Sequence, residues 1–155
     1  PSCLEEDMEK YFDLHHELKS PYMLITAPIS ESIRLELTEE EKNYDGLMRL
    51  KAKRSKLPAI THVNYSARIQ TVSKEVNRRY WNIINEFKKL TDYGVIVNTS
   101  FNIRGEPLVC TPENAYKCFM FTEMDILVLE NFILYKEEQP KLEGIEDYQK
   151  QFKLD

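Results

Sequence analysis

Residues Gly94–Phe119 read GVIVNTSFNIRGEPLVCTPENAYKCF, and the three parts of this stretch decide the fold class. Val95, Ile96 and Val97 are a short β-branched run behind a glycine, the composition of a buried strand. The next segment is polar, with Asn98, Thr99, Ser100, Asn102 and Arg104, and Gly105-Glu106-Pro107 turns it. Thr111-Pro112-Glu113 then supplies an N-cap, a first-turn proline and a first-turn acid, which opens a helix to about Thr122. Strand, polar loop and helix in that order make an α/β unit, and α/β sheets bind ligands beyond their strand ends. On an extended segment Ser100 and Asn102 share a side and Phe101 points to the other. Such a pair suits a phosphate or a nucleotide-bound metal. The plainer alternative is a turn whose Asn and Ser side chains only satisfy nearby backbone groups.

Working upstream, Ser73 is read as the cap of a helix whose stripe is Val76, Tyr80, Ile83, Ile84, Phe87 and Leu90, with Gly94 as its stop. Residues 58–72, PAITHVNYSARIQTV, read as two strand pieces around an Asn-Tyr-Ser turn. On such a strand His62, Asn64 and Ser66 share a face, and Arg68 and Gln70 continue it. Any solvent-facing strand looks like this; the sharper reading makes the planar guanidinium of Arg68 a grip for an anion. His62 alone fits a hydrogen-bonded structural histidine. Residues 30–57 are charged, carry the KAKRSK run, and are expected to be a long loop or mobile excursion, with Leu47, Met48 and Leu50 able to form a helical turn. Ser20–Ile29 reads as a strand, with Pro21 and Pro28 at its bounds or on an edge. Leu4–Leu18 places Leu4, Met8, Tyr11, Phe12, His15 and Leu18 at helical spacing. Downstream, Asp125–Tyr135 is a strand pair or one bent strand, and 137–155 is a polar tail that frays or forms a short surface helix.

The whole is therefore expected to be α/β, a mixed twisted sheet flanked by helices. At 155 residues it can bury a real core, and 42% apolar with 30% charged residues is ordinary for a soluble domain. No apolar run approaches the roughly 20 residues that cross a bilayer. Cys3, Cys110 and Cys118 lack metal-ligand spacing and read as reduced thiols in a cytoplasmic protein. The adjacent His15 and His16 diverge on a helix, so no metal site is read here. A net charge of −5 argues against broad nucleic-acid binding. There is no Walker-type phosphate loop, no GxGxxG and no nucleophile elbow.

Taken together, LPAITHVNYSARIQTV, NTSFNIRGEPLVCTPENAYKCF and MDILVLENFILYK resemble, in order and spacing, the C-terminal domain of the O-carbamoyltransferases, the nodulation-protein and antibiotic-tailoring family. The family pattern is close to PAVTHVDGTARVQTV and LNTSFNVRGEPIVCTPEDA. The resemblance implies a YrdC-like α/β domain over residues 1–136 that joins ATP and carbamoyl phosphate into a carbamoyl-adenylate and releases pyrophosphate. A separate N-terminal domain of the actin-like ATPase class, holding a metal, would pass the carbamoyl group to an acceptor hydroxyl.

Carried onto this chain, the resemblance makes Arg68, Ser100 and Asn102 the catalytic set. His62, Ser66, Asn98 and Thr99 join them in binding nucleotide and carbamoyl phosphate. ATP and Mg²⁺ enter as substrate, none bound tightly. The family's HVDG reads HVNY at His62–Tyr65, so Asn64 stands for a carboxylate and Tyr65 for a glycine. The family's Lys-x-Arg element and RPFAPS lead-in lie upstream, and Pro1-Ser2 matches the end of that lead-in. The expectation is thus an incomplete domain, inactive alone, within a longer enzyme and compatible with a homodimer. A non-catalytic nucleotide- or RNA-binding or interface module of the same fold is the alternative.

Overall fold

The computed structural model describes residues 1–15, 18–141, 144, 148 and 152. They fall into two compact units, Pro1–Asn98 and Thr99–Asp155. In the first, strand β1 (Ser2–Leu4) runs through a 3-10 turn into the short helix α1 (Met8–Tyr11). Strand β2 (Ile25–Pro28), helix α2 (Glu39–Lys42), strand β3 (Ser66–Val72), helix α3 (Arg78–Thr91) and strand β4 (Val95–Ile96) follow. The second unit holds helix α4 (Pro112–Met120) and the hairpin of β5 (Ile126–Leu129) and β6 (Phe132–Tyr135). The protein is α/β, as expected.

The four-stranded sheet has the order β2-β3-β1-β4. It is mixed: β1 runs parallel to β3, while β2 and β4 are antiparallel to their neighbours. Pro28 is tolerated because β2 is an edge. Alternation along the strands sends Cys3, Ala27, Ala67, Ile69 and Val95 to one face, where Met8, Tyr11, Phe12, Ile29 and Ile33 close the main core. The opposite face presents Leu4, Val72 and Ile96 at one end, covered by Ile84, Tyr80 and Trp81 of α3. The remainder of that face is polar.

Several expectations change. The helix expected over Leu4–Leu18 is a strand, a 3-10 turn and one turn of α-helix, and Phe12 leaves it to bridge Ile29. Met8, Tyr11 and Phe12 reach the main core, but Leu4 faces the other side of the sheet and Leu18 is exposed, so the spacing misled; His16 lies outside the described residues. The first of the two strand pieces is a 3-10 turn, Pro58–Ile60, so β3 alone remains. Ser73 caps only a turn, accepting from the Glu75 amide; the α3 cap is Asn77, whose Oδ1 accepts from the Tyr80 amide. Residues 30–57 form a long folded loop closed by an Arg34–Ser55 bridge. Within it, Thr38 and Glu41 make a reciprocal capping box on α2, and Leu47, Met48 and Leu50 lie in a 3-10 helix. In the second unit, Thr111 caps α4 as read, and Phe119, Ala115 and Leu127 are its buried centre. Most of the tail lies outside the described residues, but Tyr148 is buried rather than frayed.

Candidate functional site

In the first unit the site residues meet on the uncovered part of the sheet face. Ser66, Arg68 and Gln70 alternate with buried Ala67, Ile69 and Thr71 along β3, and register adds Thr26 beside Arg68 and Ser2 beside Gln70. Arg68 is exposed, and among the described residues no hydrogen bond or ion pair engages its guanidinium. Its five donors are free for a planar anion.

Gln70 organises one flank. Its Oε1 accepts from Ser2 Oγ at 2.5 Å and from Asn98 Nδ2 at 2.7 Å, and its Nε2 donates to the Pro21 carbonyl at 2.9 Å. Asn98 is therefore fixed to the sheet by its amide nitrogen, which leaves its Oδ1 as the acceptor that can face a ligand.

The other flank is a turn. The His62 and Asn64 side chains do not share a strand face with Ser66, because 63–65 turn and Tyr65 sits at φ +60°. The turn nevertheless brings the three together. Ser66 Oγ donates to Asn64 Oδ1 at 2.7 Å and lies 3.0 Å from His62 Nδ1. With the single hydroxyl proton given to Asn64, His62 Nδ1 is the donor, so the neutral ring keeps Nε2 as its acceptor. The φ of Tyr65 also explains the glycine in the family pattern, since glycine adopts that region at no steric cost. The Tyr65 ring packs partly on the main core and lies 5.9 Å from the Arg34 guanidinium.

In the second unit Thr99 and Ser100 are exposed. Asn102 is half-buried, and its Nδ2 donates to the Glu106 and Ile103 carbonyls at 2.7 and 3.1 Å. Glu106 Oε2 in turn accepts from the Ile103 amide at 2.9 Å, and the Val109 amide donates to the Phe101 carbonyl. Asn102 thus shapes its own loop, as the plainer alternative has it, and only its Oδ1 is left over.

Sequence reasoning placed Gln70 on the right face but left it out of the binding set, together with Asn64 and Thr26. The signal for Gln70 was present in its period-two spacing from Arg68. Among the described residues no cluster of three or more His, Cys, Asp or Glu side chains could hold a metal ion. No helix among them is long and apolar enough to cross a membrane.

A family model described as Carbamoyltransferase C-terminus matches residues 1–136. An uncharacterised protein of Synechocystis is 56% identical over 155 residues, all of this chain and 25% of the relative. Nodulation protein NolNO of Sinorhizobium fredii is 36% identical over 137 residues, 88% of this chain and 17% of the relative. The 3'-hydroxymethylcephem-O-carbamoyltransferase of Amycolatopsis lactamdurans is 32% identical over 109 residues, 70% of this chain and 16% of the relative. The chain therefore spans a quarter or less of the length of these curated relatives.

Proposed function

The chain belongs to the carbamoyltransferase C-terminus family, and from that premise we propose that it is the part of an O-carbamoyltransferase in which carbamoyl-adenylate is made from ATP and carbamoyl phosphate. The fold is read as YrdC-like on the resemblance of its motifs. Transfer to an acceptor hydroxyl is assigned to the rest of the full-length gene product, in a domain of the actin-like ATPase class.

The atoms constrain the route. ATP and carbamoyl phosphate bring four phosphorus atoms, the adenylate keeps one and pyrophosphate takes two, so the fourth leaves as phosphate. Water therefore cleaves carbamoyl phosphate to carbamate and phosphate. A carbamate oxygen then attacks the α-phosphorus of ATP, and the bond from that phosphorus to the pyrophosphate oxygen breaks. No enzyme nucleophile is needed. What the protein must supply is donors and positive charge where phosphate charge develops, and these act most strongly when fixed in advance.

The observation that carries this reading is the unengaged guanidinium of Arg68 on the polar part of the sheet face. Arg68 grips the anion, and Ser66 Oγ, Asn98 Oδ1 and the Nε2 of His62 offer acceptors for the carbamoyl amide and the nucleotide hydroxyls. In the same reaction Thr99, Ser100 and the free Oδ1 of Asn102 orient the triphosphate or its Mg²⁺, which arrives with the nucleotide as substrate.

The test is product identity in the full-length gene product. ATP should give AMP and pyrophosphate only when carbamoyl phosphate is present. Formation of ADP, or no nucleotide conversion by folded protein, contradicts the adenylate chemistry and favours a non-catalytic binding or interface module.

A further inference from the structure

Tyr148 stands beyond the family match, which ends at residue 136, and yet it is 2% exposed. Its ring lies 4.8 Å from that of Phe121 and 5.3 Å, edge-on, from that of Phe152, with Lys117 Nζ 5.1 Å above it. Its hydroxyl donates to Glu106 Oε1. Burial, and then Glu106, push the phenol up from its ordinary value, so it keeps its proton and remains a donor across physiological pH.

The other carboxylate oxygen of Glu106 holds the Ile103 amide at 2.9 Å, and its backbone carbonyl holds Asn102 Nδ2 at 2.7 Å. Among the described residues Glu106 thus joins the Tyr148 hydroxyl directly to the loop that carries Asn102, and the Cys118 thiol lies against both of them and the Ile103 backbone. Without the Tyr148 hydroxyl, Glu106 Oε1 loses its phenol donor and keeps only the weak thiol of Cys118 beside it, and a carboxylate turned toward water releases the Ile103 amide as well.

We propose that Tyr148 is a positioning residue that fastens the 101–106 loop through Glu106, holding its polar side chains in the one conformation that meets the phosphoryl groups of the substrate. This rests on the function proposed above. Tyr148→Phe keeps the aromatic packing and removes only the hydroxyl, so it is the clean variant.

The experiment has two readouts. In the 155-residue chain, hydrogen exchange at the Ile103 amide should speed up about tenfold in Tyr148→Phe with little change in the thermal midpoint, as expected for one lost charge-assisted hydrogen bond. In the full-length gene product, kcat/KM for ATP in carbamoyl-phosphate-dependent pyrophosphate release should fall about tenfold in Tyr148→Phe and in Glu106→Ala. Glu106→Gln, which keeps an acceptor for the hydroxyl, should recover most of the loss. Adding Tyr148→Phe to Glu106→Ala should cost nothing further, because the two act as one unit.

Unchanged exchange at Ile103 overturns the clasp. Faster exchange with unchanged kcat/KM overturns its role in positioning, as does a loss in the double variant equal to the two single losses combined. If the wild type releases no pyrophosphate, the proposed function fails and the positioning role goes with it, while the exchange result still decides whether the clasp exists.

Discussion

Gly94 is held by what approaches it. Its carbonyl accepts from the Leu4 amide at 3.0 Å, its amide donates to Tyr11 Oη at 2.8 Å, and a Cβ there would stand 2.6 Å from Asp7 Oδ2 and 3.2 Å from Leu4 Cδ1. The sequence reading took this glycine for a helix stop. The residue that ends α3 in the left-handed region is Asp92, at φ +66°. What Gly94 permits is the passage of the chain beside a buried carboxylate, which no local pattern announces. Asp7 is 2% exposed and paired with Lys10 and Lys88 at 2.6 Å each, one lysine on α1 and the other on α3. Gly94→Ala should therefore destabilise the fold by about 1–3 kcal/mol in urea denaturation, as overpacking does. Burial alone would push the Asp7 carboxyl up, but Lys10 and Lys88 outweigh burial and hold it below the ordinary carboxylate range. A carboxyl depressed on folding adds stability above its unfolded pKa, about 3.9, and loses it as pH falls through the folded value. Asp7→Asn should then cost about 1–3 kcal/mol at pH 7, since the lysines left behind reach solvent, and flatten the loss of stability below about pH 4. An equal acid slope in variant and wild type would remove Asp7 from the account. At Cys3 burial is the largest influence and the neighbouring Asp7 and Glu6 carboxylates add to it: its thiol is pushed up to about 12. It should resist alkylation at neutral pH in the folded protein while exposed Cys110 reacts, the order being read by mass spectrometry of the modified peptides.

At the scale of elements, α3 separates what periodicity can reveal from what it cannot. Its apolar stripe was legible, and the helix is there. Only Ile84 of that stripe is buried, however, and Tyr80 and Trp81 pack beside it, while Val76, Ile83, Phe87 and Leu90 are exposed. A 3.6-residue period reports that one side of a helix is apolar and says nothing of what lies against it. Ile84→Ala should cost about 2–5 kcal/mol, and Leu90→Ser less than about 0.5 kcal/mol, by chemical denaturation. Comparable losses would mean that the stripe is packed in solution. The strands show the complementary case. β3 was legible because polar and apolar residues alternate along it, and the β5–β6 hairpin because two short apolar runs flank Glu130-Asn131, whereas the three-residue β1 is too short to carry a period. The turn at 63–65 was marked by Asn-Tyr-Ser, but the bond network joining His62, Asn64 and Ser66 depends on where the turn folds back, which composition does not encode.

For the whole molecule, the motifs led to the family, and the sheet gives those motifs a physical arrangement. Covering one end of a sheet face with α3 leaves the other end, around Arg68, open and polar. The placement of Arg68 was legible from alternation, and the loop-shaping use of Asn102 from the turn-forming character of its segment; the hub at Gln70 was not, because it arises from contacts distant in sequence. The central claim is that adenylate chemistry needs this cation. The most direct test is carbamoyl-phosphate-dependent pyrophosphate release from ATP by the full-length gene product, wild type against Arg68→Ala. Loss of an anion-gripping guanidinium should lower kcat/KM at least about a hundredfold, on the scale of one lost transition-state donor, with the thermal midpoint unchanged. Release at the wild-type rate in Arg68→Ala would contradict the account.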